Sequence, residues 1–233
     1  MVLAMHMSDG LVNTPTALGF GLVAAVGLAI AVSRARADLD DRTAPMAGLV
    51  TAFVFAVQMI NFPILPGASG HLLGGALVAI LVGPWVGSLC IAIVLAVQAL
   101  LFADGGLTAL GTNIVNMAIV GVLVGWTVAL SLRPLARRGR TGLLVTAFVA
   151  AFVNTVVASL AFVLEYAVGG TGGASLATVF TLMLGLHVLI GIGEGVITAA
   201  TVGAVAAVRP DLVYLLRGTA APLEIRTARG SAA

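Results

Sequence analysis

The chain has 233 residues, of which 61% are hydrophobic and only 9% charged, which argues against a soluble domain with a charged shell and for a polytopic membrane protein. Its net charge of +2 hides an uneven make-up, with eleven arginines and no lysine. The single cysteine, Cys90, sits in an apolar run and forms neither an intrachain disulfide nor a thiolate metal site by itself.

Apolar segments separated by turn signals fall at about 15–33, 46–62, 71–83, 84–103, 107–131, 142–166 and 176–207. The third is short for a crossing, since a dozen helical residues cover roughly 18 Å of a hydrocarbon core about 30 Å thick. The arginines decide whether it counts. They form three patches: Arg34, Arg36 and Arg42; Arg133, Arg137, Arg138 and Arg140; Arg209, Arg217, Arg226 and Arg229. The first two patches share the cytoplasmic side only if an even number of crossings lies between them. The run is therefore broken at Gly83-Pro84, where proline removes a backbone donor.

The expected fold is all-α, a polytopic transmembrane helix bundle of about seven spans with the N-terminus outside and the C-terminus inside. Residues 5–208 form one transmembrane domain and 209–233 a cytoplasmic tail, in the cytoplasmic membrane. No signal peptide is evident, because residues 1–10 lack a basic start and a cleavage site. The arginines lie in short loops without aromatic residues to stack on bases, so no nucleic-acid partner is expected.

Of three histidines, His6 and His71 fall on the outer side of this topology. Met5 directly precedes His6. A chain starting at Met5 offers its α-amine, the His6 backbone nitrogen and the His6 ring Nδ1, which close a five-membered and a six-membered ring around one metal. His71 is the remaining outer histidine and supplies a fourth nitrogen. Four nitrogens in a plane suit Ni(II) and also Co(II), whereas Zn(II) favours tetrahedral sites and Mg(II) or Ca(II) oxygen. With Met1 as the start the first ring cannot close, so residues 1–4 are expected to be a mis-assigned start. The plainer alternative keeps them and leaves His6 as a loop residue.

Several motifs in order resemble one family. Met5-His6-Met7-Ser8-Asp9-Gly10, Gln58-Met59-Ile60-Asn61-Phe62, Ser69-Gly70-His71-Leu72-Leu73-Gly74-Gly75 and the run from Gln98 through Asp104-Gly105-Gly106 to Gly111 resemble the CbiM/NikM family. That family is the substrate-capture component of cobalt and nickel energy-coupling-factor (ECF) ABC transporters. Asn113, Asn116, Met117 and the stretch from His187 to Glu194 continue the likeness, which runs from Met5 to about Arg209.

The resemblance implies a membrane-embedded subunit that holds Co(II) or Ni(II) near its outer face, with Met5, His6 and His71 as the metal ligands and no organic cofactor. It also implies three kinds of partner: a transmembrane coupling subunit, cytoplasmic ABC ATPase subunits and a small accessory membrane protein. The chain is expected to be no enzyme, and it carries no phosphate-binding loop of its own.

Asp9 and Asp104 are candidates for orienting the ligand imidazoles. The alternative for each is a helix-terminal turn or cap. Asn113 and Asn116 share a helix face, where they either line the site or hydrogen-bond across the bundle. His187 and Glu194, two turns apart, read as an interior polar network. Ala52 and Ala56 either contact the coupling subunit or pack within the bundle.

Two rivals come from other classes. Gly67-Ala68-Ser69-Gly70 is a GxSG sequence which, with His187, offers the ingredients of a rhomboid-like intramembrane serine protease, although the sequence around His187 departs from the rhomboid pattern. A self-sufficient secondary transporter would show internal repeats, and none is evident.

Overall fold

The computed structural model describes residues 6–41, 43–60, 62–65 and 68–217, with the backbone alone for 62–65 and 68–70. Apolar runs become helices where capping chemistry permits. α1 (Thr14–Asp38) starts where the Asn13 side chain accepts from the Thr16 N–H, with Pro15 just inside the helix. α2 (Thr43–Gln58) follows a short turn. Two strands, β1 (Phe62–Leu65) and β2 (Ala68–Gly70), then pair antiparallel with Phe62 opposite Gly70. After them come α3 (Gly75–Val82), α4 (Pro84–Leu101), α5 (Leu110–Ser131), α6 (Arg140–Gly169) and α7 (Leu176–Val208).

α5 is continuous, but its stretch Ile114–Gly121 is wound as π-helix, a form that concentrates at functional sites. Ser175 caps α7 by accepting from the Thr178 N–H. After α7, short turns at Pro210–Leu212 and Tyr214–Leu216 return across the bundle.

The expected break at Gly83-Pro84 is present. Gly83 has φ 89°, a conformation open to glycine, and the chain reverses there. Gly87 of α4 then lies so close to α3 that a Cβ would sit 2.8 Å from the Val78 side chain. Every residue of α3 is buried. Gly125 of α5 lies against Ala76, where a Cβ would come within 2.8 Å of the Ala76 Cα. Small residues thus bring α3 and its neighbours to near contact, the kind of dispersion-driven packing that holds helices together in lipid.

Of the about seven spans expected, five are matched by helix length. Among the described residues five helices are long and apolar enough to cross a membrane: α1, α4, α5, α6 and α7. α2 has 16 residues and α3 only 8. The run 71–83 is not one helix, because the chain at Leu73 and Gly74 is held by side chains from elsewhere and Gly74 is left-handed with φ 80°. The stretch between the second and third apolar segments contains the two strands.

Loops gather at two ends of the bundle. At one end Asn13 N–H donates to Gly169 C=O at 2.7 Å, Thr171 N–H to Leu11 C=O at 2.9 Å and Gly106 N–H to Met7 C=O at 2.8 Å. At the other the Tyr214 hydroxyl donates to Asp38 at 2.8 Å, Arg217 to Thr43 at 2.6 Å and Arg133 to Leu215 C=O at 2.9 Å. Around the outside Leu22, Leu49, Leu164 and Leu189 are exposed, an apolar belt suited to hydrocarbon.

Candidate metal centre

The segment before α1 folds back into the bundle at the first of these ends. Its backbone is held from two sides. Asn113, at the start of α5, accepts from Met7 N–H at 2.8 Å and donates to Met7 C=O at 3.1 Å. The loop between α4 and α5 supplies the Gly106 N–H to the same carbonyl. Gly106 has to be glycine for this approach, since a Cβ there would lie 2.3 Å from Asp9 N.

These bonds carry His6 inward until its ring lies against that of His71, with centroids 4.5 Å apart and planes tilted by 34°. Both side chains are buried. His6 Nδ1 lies 3.0 Å from Asp104 Oδ1, and this hydrogen bond holds the Asp104 carboxyl below its usual range. An ionised carboxylate only accepts, so Nδ1 carries the proton.

His71 precedes α3 and lies outside the helical spans. Its Nδ1 donates to the Leu72 carbonyl at 3.0 Å. Burial first, and then the His6 ring beside it, push its pKa down to about 3, because desolvation and the proximity of a second imidazole both disfavour the charged form. His71 is therefore neutral at any physiological pH. The Nε2 atoms of His6 and His71 are buried with no hydrogen-bond partner among the described residues. In the neutral rings each bears a lone pair, the form in which imidazole binds metals.

The turn that presents His71 is fixed from behind. Glu194 of α7 accepts from Leu73 N–H at 2.7 Å and Gly74 N–H at 2.9 Å, and from the Asn154 amide at 3.2 Å. Gln58 of α2 donates to Leu73 C=O at 2.6 Å. A carboxylate at the start of α3 satisfies donors that the helix itself cannot.

The residues singled out in the sequence divide into those that meet and those that do not. His6, His71, Asp104 and Asn113 come together. Met5 lies outside the described residues. Asp9 does not reach His6: it is exposed and accepts from Thr108 N–H at 2.7 Å and Thr108 Oγ1 at 2.6 Å, bonds that lower its carboxyl pKa and close the α4–α5 loop over the arm. Asn116, in the π-helical stretch, turns to Glu165 of α6 and donates to it at 2.7 Å. His187 and Glu194 do not pair with each other, and both belong to the buried polar interior. Ala52 and Ala56 are exposed, which leaves them to lipid or a partner rather than to packing within the bundle.

Sequence reasoning gave no role to Gln58 and missed the Glu194 contact with α3. The only available signal was that both are polar residues inside apolar runs, a pattern that marks function by default.

Among the described residues no three His, Cys, Asp or Glu side chains converge to hold a metal. The six-membered chelate drawn from the sequence uses His6 Nδ1, which faces Asp104 in this structure. A half-turn of the ring about χ2 puts Cδ2 where Nδ1 now lies, so a chelate through Nδ1 requires the Asp104 contact to break. The protease constellation finds no support: Ser69 lies in β2 rather than at a helix start, Gly67 is outside the described residues, and His187 Nδ1 is engaged by Met183 C=O.

Comparison with known proteins agrees with this picture. The family model described as "Cobalt uptake substrate-specific transmembrane region" matches residues 6–212. The cobalt transport protein CbiM of Sorangium cellulosum is 31% identical over 91% of this chain and 96% of its own. The fused nickel transport protein NikMN of Rhodobacter capsulatus is 32% identical over 94% of this chain and 66% of its own. A crystal structure of a transition metal transporter superposes with a TM-score of 0.79 at 27% identity, covering 91% of this chain and all of that one. The chain thus belongs to the CbiM family, the transmembrane components of cobalt and nickel transport.

Proposed function

We propose that this chain captures Co(II) or Ni(II) at the outer face of the cytoplasmic membrane, as the substrate-binding subunit of an ATP-driven ECF importer. The observation that carries the reading is the pair of buried, tilted imidazoles of His6 and His71 set beside the Asp104 carboxylate, with the His71 Nε2 free of any hydrogen-bond partner among the described residues. The ligand set is the amine of Met5, free once residues 1–4 are absent, the His6 backbone and ring nitrogens, and His71. A plane of nitrogens selects Ni(II) or Co(II) over ions that prefer oxygen.

The orientation follows from the arginines. Arg34, Arg36, Arg133, Arg137, Arg138, Arg140, Arg209 and Arg217 belong to the end opposite His6, which the positive-inside rule places in the cytoplasm. The bundle then passes between the two faces seven times, with α2 and α3 as short passes. Because the chain has no phosphate-binding loop, release of the ion relies on ATPase subunits acting through a coupling membrane subunit, with a small accessory membrane protein alongside. The family description names cobalt uptake, and the use proposed for that cobalt is cobalamin synthesis.

The test is metal titration of the purified chain in nanodiscs, paired with intact-mass measurement of its N-terminus and X-ray absorption of the bound ion. One equivalent of Ni(II) or Co(II) in a nitrogen-only shell, on a chain starting at Met5, is expected. An oxygen-rich octahedral shell overturns the reading.

A further inference from the structure

The proposed outer chelate leaves the third histidine without a task. His187 lies in α7 and is 2% exposed. Its Nδ1 is 2.7 Å from the Met183 carbonyl. A carbonyl only accepts, so the proton sits on Nδ1 and Nε2 keeps its lone pair. That Nε2 is buried with no hydrogen-bond partner among the described residues, an unfavourable condition that a histidine kept only for packing has no reason to carry. His71 is built the same way, with Nδ1 on the Leu72 carbonyl and Nε2 unshared.

The backbone brings the two together. β2, which ends immediately before His71, lies against α7. Leu73, just after His71, donates to Glu194 of α7 at 2.7 Å. His71 is thus held to α7 from both flanks. His187 stands on the same face of α7 as Glu194, two turns nearer the His6 end.

We propose that His71 and His187 form an inner two-imidazole station, which takes the ion as it leaves the outer nitrogens for the bundle interior. The inference rests on the metal-capture reading above. His71 is common to both positions. The ion exchanges the amine and the His6 nitrogens for His187 Nε2, those groups regain their protons, and the metal stays divalent throughout. Neutral imidazoles suit Ni(II) and Co(II). Two of them hold the ion more weakly than a four-nitrogen plane, which makes the inner position a transit point rather than a trap. Further buried oxygens without hydrogen-bond partners among the described residues include those of Asn116 on α5 and of Asn154 and Glu165 on α6.

The experiment uses the full chain in nanodiscs with Ni(II) as the probe. Absence of any tight site in the wild type defeats the capture reading itself. Given that site, His6→Ala is expected to keep a second affinity weaker by at least about a hundredfold, and adding His187→Gln is expected to remove it. Residual binding that is the same with and without His187 overturns the station. In cells carrying the complete transporter, His187→Gln is expected to lower radiolabelled nickel uptake at least about tenfold further than it lowers tight-site affinity. A fall of both in step overturns the proposal. If that variant does not fold, the wild type with nitrogen-labelled histidine decides. Excess nickel is expected to move the Nε2 resonances of His71 and His187 together, and movement of His71 alone overturns the proposal.

Discussion

Asn113 and Met7 are joined by a reciprocal pair of hydrogen bonds, the amide oxygen accepting from Met7 N–H at 2.8 Å and the amide nitrogen donating to Met7 C=O at 3.1 Å. A side chain here does what a neighbouring strand does for a backbone. It fixes the arm one residue beyond His6, and with it the depth at which the imidazole enters the bundle.

Replacing Asn113 with Leu keeps the volume and removes both bonds. Two buried backbone groups lose a partner, at about 1–3 kcal/mol each, although Gly106 still serves the carbonyl. Metal affinity is expected to fall about tenfold or more while the helices stay assembled, because the loss falls on the arm and not on the core. Calorimetric titration beside a thermal melt checks this. Equal affinity in the variant shows that the arm is positioned by something else.

Asp104 orients His6 and is partly exposed, with a side-chain accessibility of 26%, so its worth is geometric more than coulombic. Asp104→Asn retains an acceptor but forfeits the charge that favours a protonated ring nitrogen facing it. A loss of about tenfold to a hundredfold in metal affinity is expected, the range found when a carboxylate behind a ligand histidine is removed. NMR of labelled histidine adds a sharper check. Without metal the His6 proton is on Nδ1, and binding through Nδ1 is expected to move it to Nε2. A proton that stays on Nδ1 in the loaded protein rules out the six-membered chelate.

The acid limit of binding is also set by these groups. His71, depressed to about 3, is neutral from pH 8 down to well below pH 5, so protons do not compete for it in that window. Asp104, lowered from its ordinary value, stays ionised over the same range. The competing protons belong to the terminal amine, whose ordinary pKa is about 7.7–8.0, and to the His6 backbone nitrogen, which must lose its proton to bind. Affinity is therefore expected to drop by at least about tenfold per pH unit below neutrality, through loss of these nitrogens and not of His71. A titration series between pH 8 and 5 measures it, and a flat series contradicts an amine-containing ligand set.

The sequence reveals the parts of this molecule that depend on periodicity and on single strong signals. The long helices follow from apolar length, the reversal at Gly83-Pro84 from a proline that cannot continue a helix, and the two ends from arginine placement. The failures share a cause. Apolarity alone makes 71–83 look like a helix, and nothing local announces that Glu194, more than a hundred residues away, takes the N–H groups of Leu73 and Gly74 and holds His71 off the helix axis. Asp9 misleads in the same manner, since its nearness to His6 along the chain is undone by Thr108 in space. Asp104 and Asn113 were visible as polar residues at the right end, but only folding shows that one meets the ring and the other the backbone.

Glu194 gives the most direct test of that long-range control. Its two oxygens accept from Leu73 N–H, Gly74 N–H and the Asn154 amide, all within the buried interior. Glu194→Gln matches its size but replaces one acceptor oxygen by a donor, which then faces an N–H. One of these groups is left unsatisfied, at about 1–3 kcal/mol, and the turn bearing His71 is free to shift. Thermal stability in detergent and Ni(II) affinity are expected to fall together, whereas loss of a metal ligand such as His71→Ala removes affinity with stability largely kept. The contrast between the two variants separates a residue that builds the site from one that binds. If Glu194→Gln retains both stability and affinity, the carboxylate is not what sets the turn, and the position of His71 must be explained by Gln58 and the strands alone.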